Sequence, residues 1–351
     1  MAERRVDLRS DTLTLPTPEM RRAMAEAELG DDVFHEDPTV NRLEALAAER
    51  VGKEAGLLVA SGTQGNLLGV VSHTQRGDEV ICGDQCHIFH YEVAGCAVVG
   101  ALQLRPIRNV EGTLLPADVE AAIRPADIHN PRTAVVCLEN THNREGGVAI
   151  TAEQTAAVAE VAHRRGVAVH LDGARVFNAA VALGVNVRTL TAPVDSVTFC
   201  LSKGLGSPVG SVLCGTKAYI EVARKYRKMI GGGMRQAGVL AAAGIVSLTS
   251  MVDRLAEDHA NARLLAEGLA EIPGIVIDAS RPRTNLVFFD VSAPMGAAGL
   301  VTRLREYGVI CTSGYFNRIR MVPHYGIDRA DIEHTIRAVR EVLVGVPVGA
   351  R

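Results

Sequence analysis

Short runs of apolar residues alternate with stretches in which apolar residues recur every three to four positions, up to about residue 250. The short runs are typical of buried β-strands, and the longer spacing is typical of amphipathic helices. Helices are predicted at Pro18–Glu28, Thr39–Val51 and Ala152–Arg165. The candidate strands are Leu57–Ala60, Glu79–Cys82, Thr133–Leu138, Ala168–Leu171, Ser196–Leu201 and Ser211–Cys214. Strands that alternate with helices predict an α/β fold with a mostly parallel sheet flanked by helices.

The pattern changes after about residue 250. A long charged helix is predicted over Asp253–Ala270, and the last predicted helix, Asp328–Leu343, begins at a candidate N-cap residue. Between them lie a helix and three short strands, at Gly299–Tyr307, Val276–Ile277, Leu286–Asp290 and Arg318–Val322. We therefore expect an N-terminal arm and a large domain over residues 1–250, followed by a small C-terminal α+β domain over residues 251–351.

Composition narrows the class of protein. The chain has 351 residues, of which 47% are hydrophobic but only 4% aromatic, and it contains no Trp. Lys and Arg number 37 against 40 Asp and Glu, for a net charge of −3. A balanced charge and few aromatic side chains argue against binding of nucleic acid, by bulk charge or by base stacking. Any anion that binds must therefore be held by a few specifically positioned groups and not by the overall charge of the protein.

Cysteine usage and the N-terminal sequence bear on the compartment. The seven cysteines are scattered and none forms a CxxC pair, so neither a disulfide framework nor a zinc site is predicted. Residues 1–11 have no apolar segment of the kind found in secretory signals. The longest uncharged run, Gln236–Val252, falls short of the roughly 20 apolar residues that a membrane span needs. We expect a cytoplasmic protein that binds no membrane and no metal.

The sharpest candidate chemistry is an acid and an amine that each follow a buried strand. Asp172 comes directly after Ala168–Leu171, and Lys203 follows Ser196–Leu201. In open α/β sheets, ligands bind beyond the carboxyl ends of the strands. A partly buried lysine suits Schiff-base formation with pyridoxal phosphate (PLP), and a carboxylate can keep the pyridine nitrogen of PLP protonated. A structural Asp–Lys salt bridge at the strand ends is the alternative.

A second candidate site is the turn Ser61–Asn66, which contains Gly62 and Thr63. Small residues between a strand and a helix leave backbone N–H groups free at the helix N-terminus, where a phosphate can bind. The turn does not have the GxGxxG pattern of dinucleotide sites. An ordinary strand-to-helix turn is the alternative.

Two histidines follow predicted strands. His87 lies in the segment Cys86–Glu92, and His142 follows Thr133–Leu138. A histidine at such a position can stack on a flat ligand or transfer a proton. A hydrogen-bonded structural histidine is the alternative for both.

Basic residues also suggest anion binding. Arg320 lies between apolar residues on a short predicted strand and is a candidate carboxylate clamp, with a structural ion pair as the alternative. Lys228 ends a basic run that would ordinarily be a solvated helix face. Three glycines, residues 231–233, then precede Arg235 and allow close approach of the backbone to another group.

Taken together, these motifs resemble the threonine aldolases, which are PLP enzymes of the aspartate aminotransferase-like fold (fold type I). The resemblance covers nearly the whole chain. Its motifs are Asp7–Thr12, Gly30–Val33, Glu36–Thr39, Ser61–Asn66, His87–Glu92, Leu138–Asn143, Leu171–Arg175, Ser202–Gly206, Gly231–Gln236 and Ile319–Arg320. The resemblance implies that residues 1–250 form the PLP-binding domain.

Roles for individual residues follow from the resemblance by position. It implies that Lys203 forms the Schiff base with PLP, Asp172 contacts the pyridine nitrogen and His87 stacks on the ring. The phosphate would be held by Gly62 and Thr63, and by Arg235 from a neighbouring subunit. The substrate carboxylate would be held by Ser10, Arg320 and Arg175, of which Arg175 also belongs to the cofactor site. His142 and Lys228 would lie near the substrate hydroxyl.

The reaction implied is cleavage of L-threonine or L-allo-threonine to glycine and acetaldehyde, or of related β-hydroxy-α-amino acids to glycine and another aldehyde. The resemblance does not decide which group takes the hydroxyl proton; the candidates are His87, His142 and a water molecule. The resemblance also implies a homotetramer, built as a dimer of dimers with sites shared between subunits. Another fold type I PLP enzyme, either a β-eliminating lyase or an aminotransferase, is the alternative function.

Overall fold

The computed structural model describes residues 5–280, 284–313 and 318–345. Residues 1–4 and 346–351, at the outer ends of the two predicted domains, lie outside this description. The strands are β1 Val6–Asp7, β2 Ala55–Val59, β3 Glu79–Gly83, β4 Gln103–Ile107, β5 Asn109–Val110, β6 Thr113–Leu114, β7 Thr133–Glu139, β8 Ala168–Asp172, β9 Ser196–Cys200, β10 Ser211–Gly215, β11 Ile275–Val276, β12 Val287–Val291, β13 Val309–Ile310, β14 Thr312–Ser313 and β15 Arg318–Met321.

The helices begin where the sequence supplies caps. Thr17 accepts a hydrogen bond from the backbone N–H of Met20, and Asp37 accepts two at the start of the next helix. The helices are α1 Pro18–Ala25, α2 Pro38–Val51, α3 Gly62–Val71, α4 His87–His90, α5 Gly95–Gly100, α6 Pro116–Ala122, α7 Ala152–Arg164, α8 Val176–Leu183, α9 Val187–Thr191, α10 Lys217–Met229, α11 Gly238–Ser250, α12 Leu255–Ala270, α13 Gly296–Leu304 and α14 Arg329–Val344.

The central sheet of the described chain has the strand order β2-β10-β9-β8-β7-β3-β4. Strands β9, β8, β7, β3 and β4 run parallel, whereas β10 is antiparallel to both of its neighbours. Glu139 and Asp172 face each other in the register of β7 and β8. Because parallel strands end at the same edge, β3, β7, β8 and β9 deliver the residues that follow them to one crevice.

Both faces of the sheet are covered, as expected of parallel strands. One face packs against a buried cluster that includes Phe177 and Phe199, and the other packs against a cluster around Leu68 and Ile220. A separate cluster in the C-terminal part surrounds the sheet β11-β12-β15-β14 and includes Val6 and Leu8 from the N-terminus. The division of the chain at residue 250 stays a prediction.

The α/β fold with a mostly parallel sheet is confirmed. The predicted buried strands correspond to β2, β3, β7, β8, β9 and β10, with ends that differ by one or two residues. Asp328 caps α14, and the Asp331 side chain accepts a hydrogen bond from its backbone N–H in return. No single helix among the described residues is long and apolar enough to cross a membrane; α11 and α12 pass that test only as a pair, bent by 70°.

Candidate active site

A cavity of about 910 Å³ lies beside the carboxyl ends of β8 and β9. It brings together five of the residues selected from the sequence, which come from five separate segments of the chain: Ser10, His87, Arg175, Lys203 and Arg320. Asn143 also lines the cavity, as do residues of the C-terminal sheet such as Phe288, Asp290 and Arg318. The cavity therefore lies between the central sheet and the C-terminal sheet.

Lys203 lies at the wall of this cavity, three residues beyond the end of β9. It is half-buried, and within the described chain its amine takes part in no ion pair or hydrogen bond. The nearby charge is that of Asp11, which the Lys203 ammonium stabilises electrostatically. The alternative interpretation, a structural salt bridge between Lys203 and Asp172, is therefore not formed in this structure.

Asp172 is the last residue of β8 and is 2% exposed. One carboxylate oxygen accepts a hydrogen bond from Asn66 Nδ2 at 2.8 Å, and the other accepts one from the backbone N–H of Ala174 at 3.1 Å. A buried carboxylate needs such donors, because burial of an unpaired charge is costly. Asp172 is thus held in place by two uncharged donors.

His87 begins α4, and its imidazole contacts a second buried carboxylate. Its Nδ1 lies 2.8 Å from Glu92 Oε1, and the same Glu92 oxygen accepts a hydrogen bond from Asn66 at 2.8 Å. Burial lowers the pKa of His87, but the hydrogen bond to Glu92 and the charges of Asp172 and Glu92 outweigh it, so the pKa is raised. Burial raises the pKa of Glu92. The imidazole is thus biased toward its protonated form.

Glu139, at the end of β7, fixes the segments on both sides of the cavity. Its carboxylate accepts a hydrogen bond from the backbone N–H of His87 at 2.6 Å and another from that of Asn143 at 2.8 Å. Glu139 is 5% exposed. A buried acceptor with two backbone donors holds the start of α4 and the loop after β7 in fixed positions.

Arg175 is engaged by an acid that the sequence analysis did not single out. Its Nε and Nη2 each donate to Asp11 at 2.7 Å, and Asn285 Nδ2 donates to the same carboxylate at 3.1 Å. Burial raises the pKa of Asp11, but the charge and hydrogen bonds of Arg175 outweigh it, so the pKa is lowered. The Nε and Nη2 atoms of Arg175 are therefore engaged by Asp11, and Nη1 is the guanidinium nitrogen that can donate to a ligand.

Arg320, on β15, reaches the cavity from the C-terminal sheet. Its two terminal nitrogens donate to Asn143 Oδ1 at 3.1 Å and to the carbonyl of Arg9 at 3.0 Å. Burial, followed by repulsion from Arg175, lowers the pKa of Arg320. Both acceptors are uncharged, so Arg320 carries a positive charge that no carboxylate contacts among the described residues.

The remaining predicted site residues are not at the cavity wall in this single chain. His142 is fully buried, neither ring nitrogen has a hydrogen-bond partner among the described residues, and Nε2 lies 4.0 Å from Glu139. Lys228 and Arg235 are exposed, and Arg235 pairs with Asp31 at 2.9 Å. Gly62 and Thr63 form the first turn of α3, where Ser61 caps the helix through the N–H of Gln64.

Sequence reasoning gave no role to Asp11, Asn66, Glu92 and Glu139, although these four residues hold the site together. All four lie within motifs that were noticed for neighbouring residues, namely Ser10, Thr63, His87 and His142. The signal that identifies them is burial of a polar side chain, since each is at most 5% exposed. Burial of this kind depends on the tertiary fold and is not visible in a short motif.

The side chains present fit PLP. Lys203 at the cavity wall offers an amine that has no partner among the described residues. Behind the wall, Asp172 supplies a buried carboxylate at a strand end, and α3 supplies a helix N-terminus. These are the groups that a Schiff base, a pyridinium nitrogen and a phosphate require. Potential ligand atoms of His87, Glu92 and Asp172 also lie within 4.8 Å of one another, as in a metal site. The Asn66 amide donates a hydrogen bond to each of the two carboxylates.

Comparison with known proteins agrees with this chemistry. The sequence model of the family described as beta-eliminating lyase matches residues 7–294. The chain is 46% identical over 350 residues to low-specificity L-threonine aldolase 1 of Arabidopsis thaliana, covering 98% of both chains. It is 44% identical over 328 residues to the low-specificity L-threonine aldolase of Escherichia coli K12, covering 93% of this chain and 96% of that one.

A solved threonine aldolase of Leishmania major superposes with a TM-score of 0.83 at 17% identity, covering 96% of this chain and 99% of that one. The fold is that of the PLP-dependent enzymes of fold type I. Within that class, the chain belongs to the beta-eliminating lyase family and groups with the low-specificity L-threonine aldolases, which are carbon–carbon lyases.

Proposed function

We propose that this enzyme binds PLP and cleaves L-threonine and L-allo-threonine to glycine and acetaldehyde. The observation that carries the proposal is that Lys203 and Arg320 line one cavity, and that within the described part of the chain Lys203 has no partner and Arg320 contacts no carboxylate. A lysine can hold PLP covalently, and an arginine can hold the carboxylate of an amino acid. The relatives named threonine aldolase support the choice of substrate.

Residues of the central sheet would hold the cofactor. Lys203 would bind it covalently, Asp172 would accept a hydrogen bond from its protonated ring nitrogen, and His87 would lie against the ring. Gly62 and Thr63 would hold the phosphate with backbone N–H groups, aided by Arg235 of a neighbouring subunit. When bound, PLP supplies an electron sink for the pair released when the Cα–Cβ bond breaks.

The substrate would be oriented chiefly by its carboxylate. Arg320 would bind one oxygen, and Nη1 of Arg175 and the hydroxyl of Ser10 are the other donors proposed for this group. Orientation matters because a bound amino acid loses whichever bond on Cα is aligned for cleavage. The charge of Arg175 is already balanced by Asp11, so Arg320 supplies most of the attraction for the carboxylate.

Cleavage also requires a base that takes the proton of the β-hydroxyl, so that the aldehyde can leave. His87 lines the cavity, whereas His142 lies behind its wall. His87, or a water molecule that it positions, is therefore our first candidate, and His142 is the second. Lys228 is proposed to reach the hydroxyl only from another subunit, because it is exposed on α10 of its own chain.

We further propose a homotetramer whose sites are shared between subunits, and a cytoplasmic location. The exposure of Lys228 and Arg235 supports the sharing of sites, because both residues are available to a neighbouring chain. Analytical ultracentrifugation tests the tetramer. A mixture of two inactive variants, Lys203→Ala and Arg235→Ala, tests sharing, since a hybrid dimer would regain one intact site.

The reaction is tested by incubating the purified protein with PLP and L-threonine and without any keto acid. We expect glycine and acetaldehyde in equal amounts, and no turnover by Lys203→Ala. An aminotransferase would need a keto acid, and a β-eliminating lyase would release ammonia and a keto acid instead. Undiminished turnover by Lys203→Ala would contradict the assignment of the lysine.

A further inference from the structure

A chain of buried hydrogen bonds runs beneath α3 to the two carboxylates of the site. His73 Nε2 lies 2.8 Å from Ser196 Oγ, and Ser196 Oγ lies 2.9 Å from His170 Nδ1. His170 Nε2 lies 3.4 Å from Asn66 Oδ1, and Asn66 Nδ2 donates to both Asp172 and Glu92 at 2.8 Å. His170, Ser196 and Asn66 are at most 2% exposed.

The direction of every hydrogen bond in this chain is fixed by the amide of Asn66. Its NH2 group faces two carboxylates, so its oxygen faces His170 and can only accept. His170 therefore carries its proton on Nε2, and its Nδ1 accepts from the Ser196 hydroxyl. The Ser196 oxygen in turn accepts from Nε2 of His73. Burial lowers the pKa of His170 to about 3 and that of His73 to about 4, which is consistent with neutral rings in both residues.

Close packing of α3 against the sheet brings Asn66 within reach of these partners. A Cβ atom at Gly69 would lie 2.2 Å from Cε1 of His170, and one at Gly65 would lie 2.4 Å from Cγ2 of Thr198. A side chain at either position would push α3 away from β8 and β9. The same helix carries the proposed phosphate turn at its N-terminus, so the positions of the phosphate and of Asp172 are coupled through one rigid element.

We propose that Asn66 is a positioning residue for the cofactor site, and that His170, Ser196 and His73 hold its amide in the orientation that serves Asp172 and His87 together. The proposal rests on PLP as the cofactor. One amide hydrogen aims the carboxylate of Asp172 at the ring nitrogen. The other holds Glu92, which in turn orients the imidazole of His87. The groups at the edge and on the face of the ring thus depend on a single side chain.

The test is a comparison of PLP binding by the apo-forms of three variants. Asn66→Asp keeps the shape of the side chain but replaces the donor with a third carboxyl group. We expect its dissociation constant for PLP to rise about 10- to 100-fold, the range for loss of a hydrogen bond to a buried charge. Ser196→Ala interrupts the chain two bonds away, and we expect a rise of about three- to tenfold. Thr191→Val is the control.

Thr191 is fully buried and donates a hydrogen bond to the Val51 carbonyl at 2.7 Å, away from the cavity. Its variant should melt at a lower temperature yet bind PLP like the wild type. A spectroscopic readout separates positioning from general destabilisation. In Asn66→Asp, the visible absorption band of bound PLP should titrate at higher pH, because the ring carries less positive charge; Thr191→Val should not move it.

Unchanged PLP affinity and an unchanged titration in folded Asn66→Asp would overturn the proposal. If that variant does not fold, Ser196→Ala decides, and wild-type affinity in Ser196→Ala would overturn the proposal equally. Failure of the wild-type protein to bind PLP would overturn the proposed function and this inference with it. Binding by the wild type together with wild-type behaviour of the variants would overturn the inference alone.

Discussion

The ion pair between Asp11 and Arg175 is the contact whose removal should cost the most stability in the site. Asp11 is fully buried and its two oxygens accept three hydrogen bonds, two from Arg175 and one from Asn285. The substitution Asp11→Asn keeps the shape of the side chain. It removes the negative charge, however. It also places an NH2 group against an N–H donor, because Arg175 and Asn285 donate all three of the hydrogen bonds that Asp11 accepts.

The magnitude follows from burial. Loss of one partner leaves Arg175, which is 7% exposed, as an uncompensated charge, and breaking a buried pair in this way costs about 3–5 kcal/mol. Asp290→Asn is a matched control, because Arg318 also donates through Nε and Nη2 to the two oxygens of Asp290. There the side chains are 52% and 41% exposed, and exposed pairs contribute at most about 1 kcal/mol.

Urea unfolding at neutral pH, followed by circular dichroism, measures both effects as changes in the free energy of unfolding. A loss in Asp11→Asn no larger than that in Asp290→Asn would refute the argument from burial. The dependence on pH gives a second check. Because the pKa of Asp11 is lowered in the folded state, its contribution is complete above the ordinary value of 3.8 and is lost as the pH falls below it. The difference in the free energy of unfolding between the wild type and Asp11→Asn should therefore become smaller in that acidic range.

Three further predictions concern the reaction. Arg320→Ala should raise KM for L-threonine about 10- to 100-fold in steady-state kinetics, through loss of a charged hydrogen bond; an unaltered KM would exclude contact with the carboxylate. Asp172→Ala should lose PLP on gel filtration, and full retention of PLP would contradict the nitrogen contact. In pH–rate profiles, the limb due to His87, at a pKa raised above 6.5, should vanish in His87→Asn and persist in His142→Asn; the reverse result would make His142 the base.

The sequence predicted the sheet because a parallel strand buried on both faces is a continuous apolar run. Such runs end abruptly in polar residues, which is why Asp172 and Lys203 could be located at strand ends without a structure. The edge strand β4, Gln103–Ile107, was missed for the same reason. It is partly exposed and contains Pro106, so it lacks the apolar pattern of its neighbours.

The contacts that organise the site could not be predicted, because they join distant parts of the chain. Arg175 lies 164 residues from Asp11, and Asp172 lies 106 residues from Asn66. Local periodicity carries no information on such pairs. The resemblance assigned Arg175 to the substrate carboxylate and did not anticipate its contact with Asp11, since only the tertiary fold shows which carboxylate reaches a given arginine.

The N-terminal segment contacts strands that are synthesised much later than the segment itself. β1 pairs with β13, Leu8 accepts a hydrogen bond from Val322, and Asp11 then reaches Arg175. Strand β1 and Leu8 therefore cannot dock until residues 309–322 have been synthesised. The central sheet can fold as it emerges, but the cavity is complete only after the C-terminal sheet, which supplies Phe288 and Arg320 to its wall, has been synthesised.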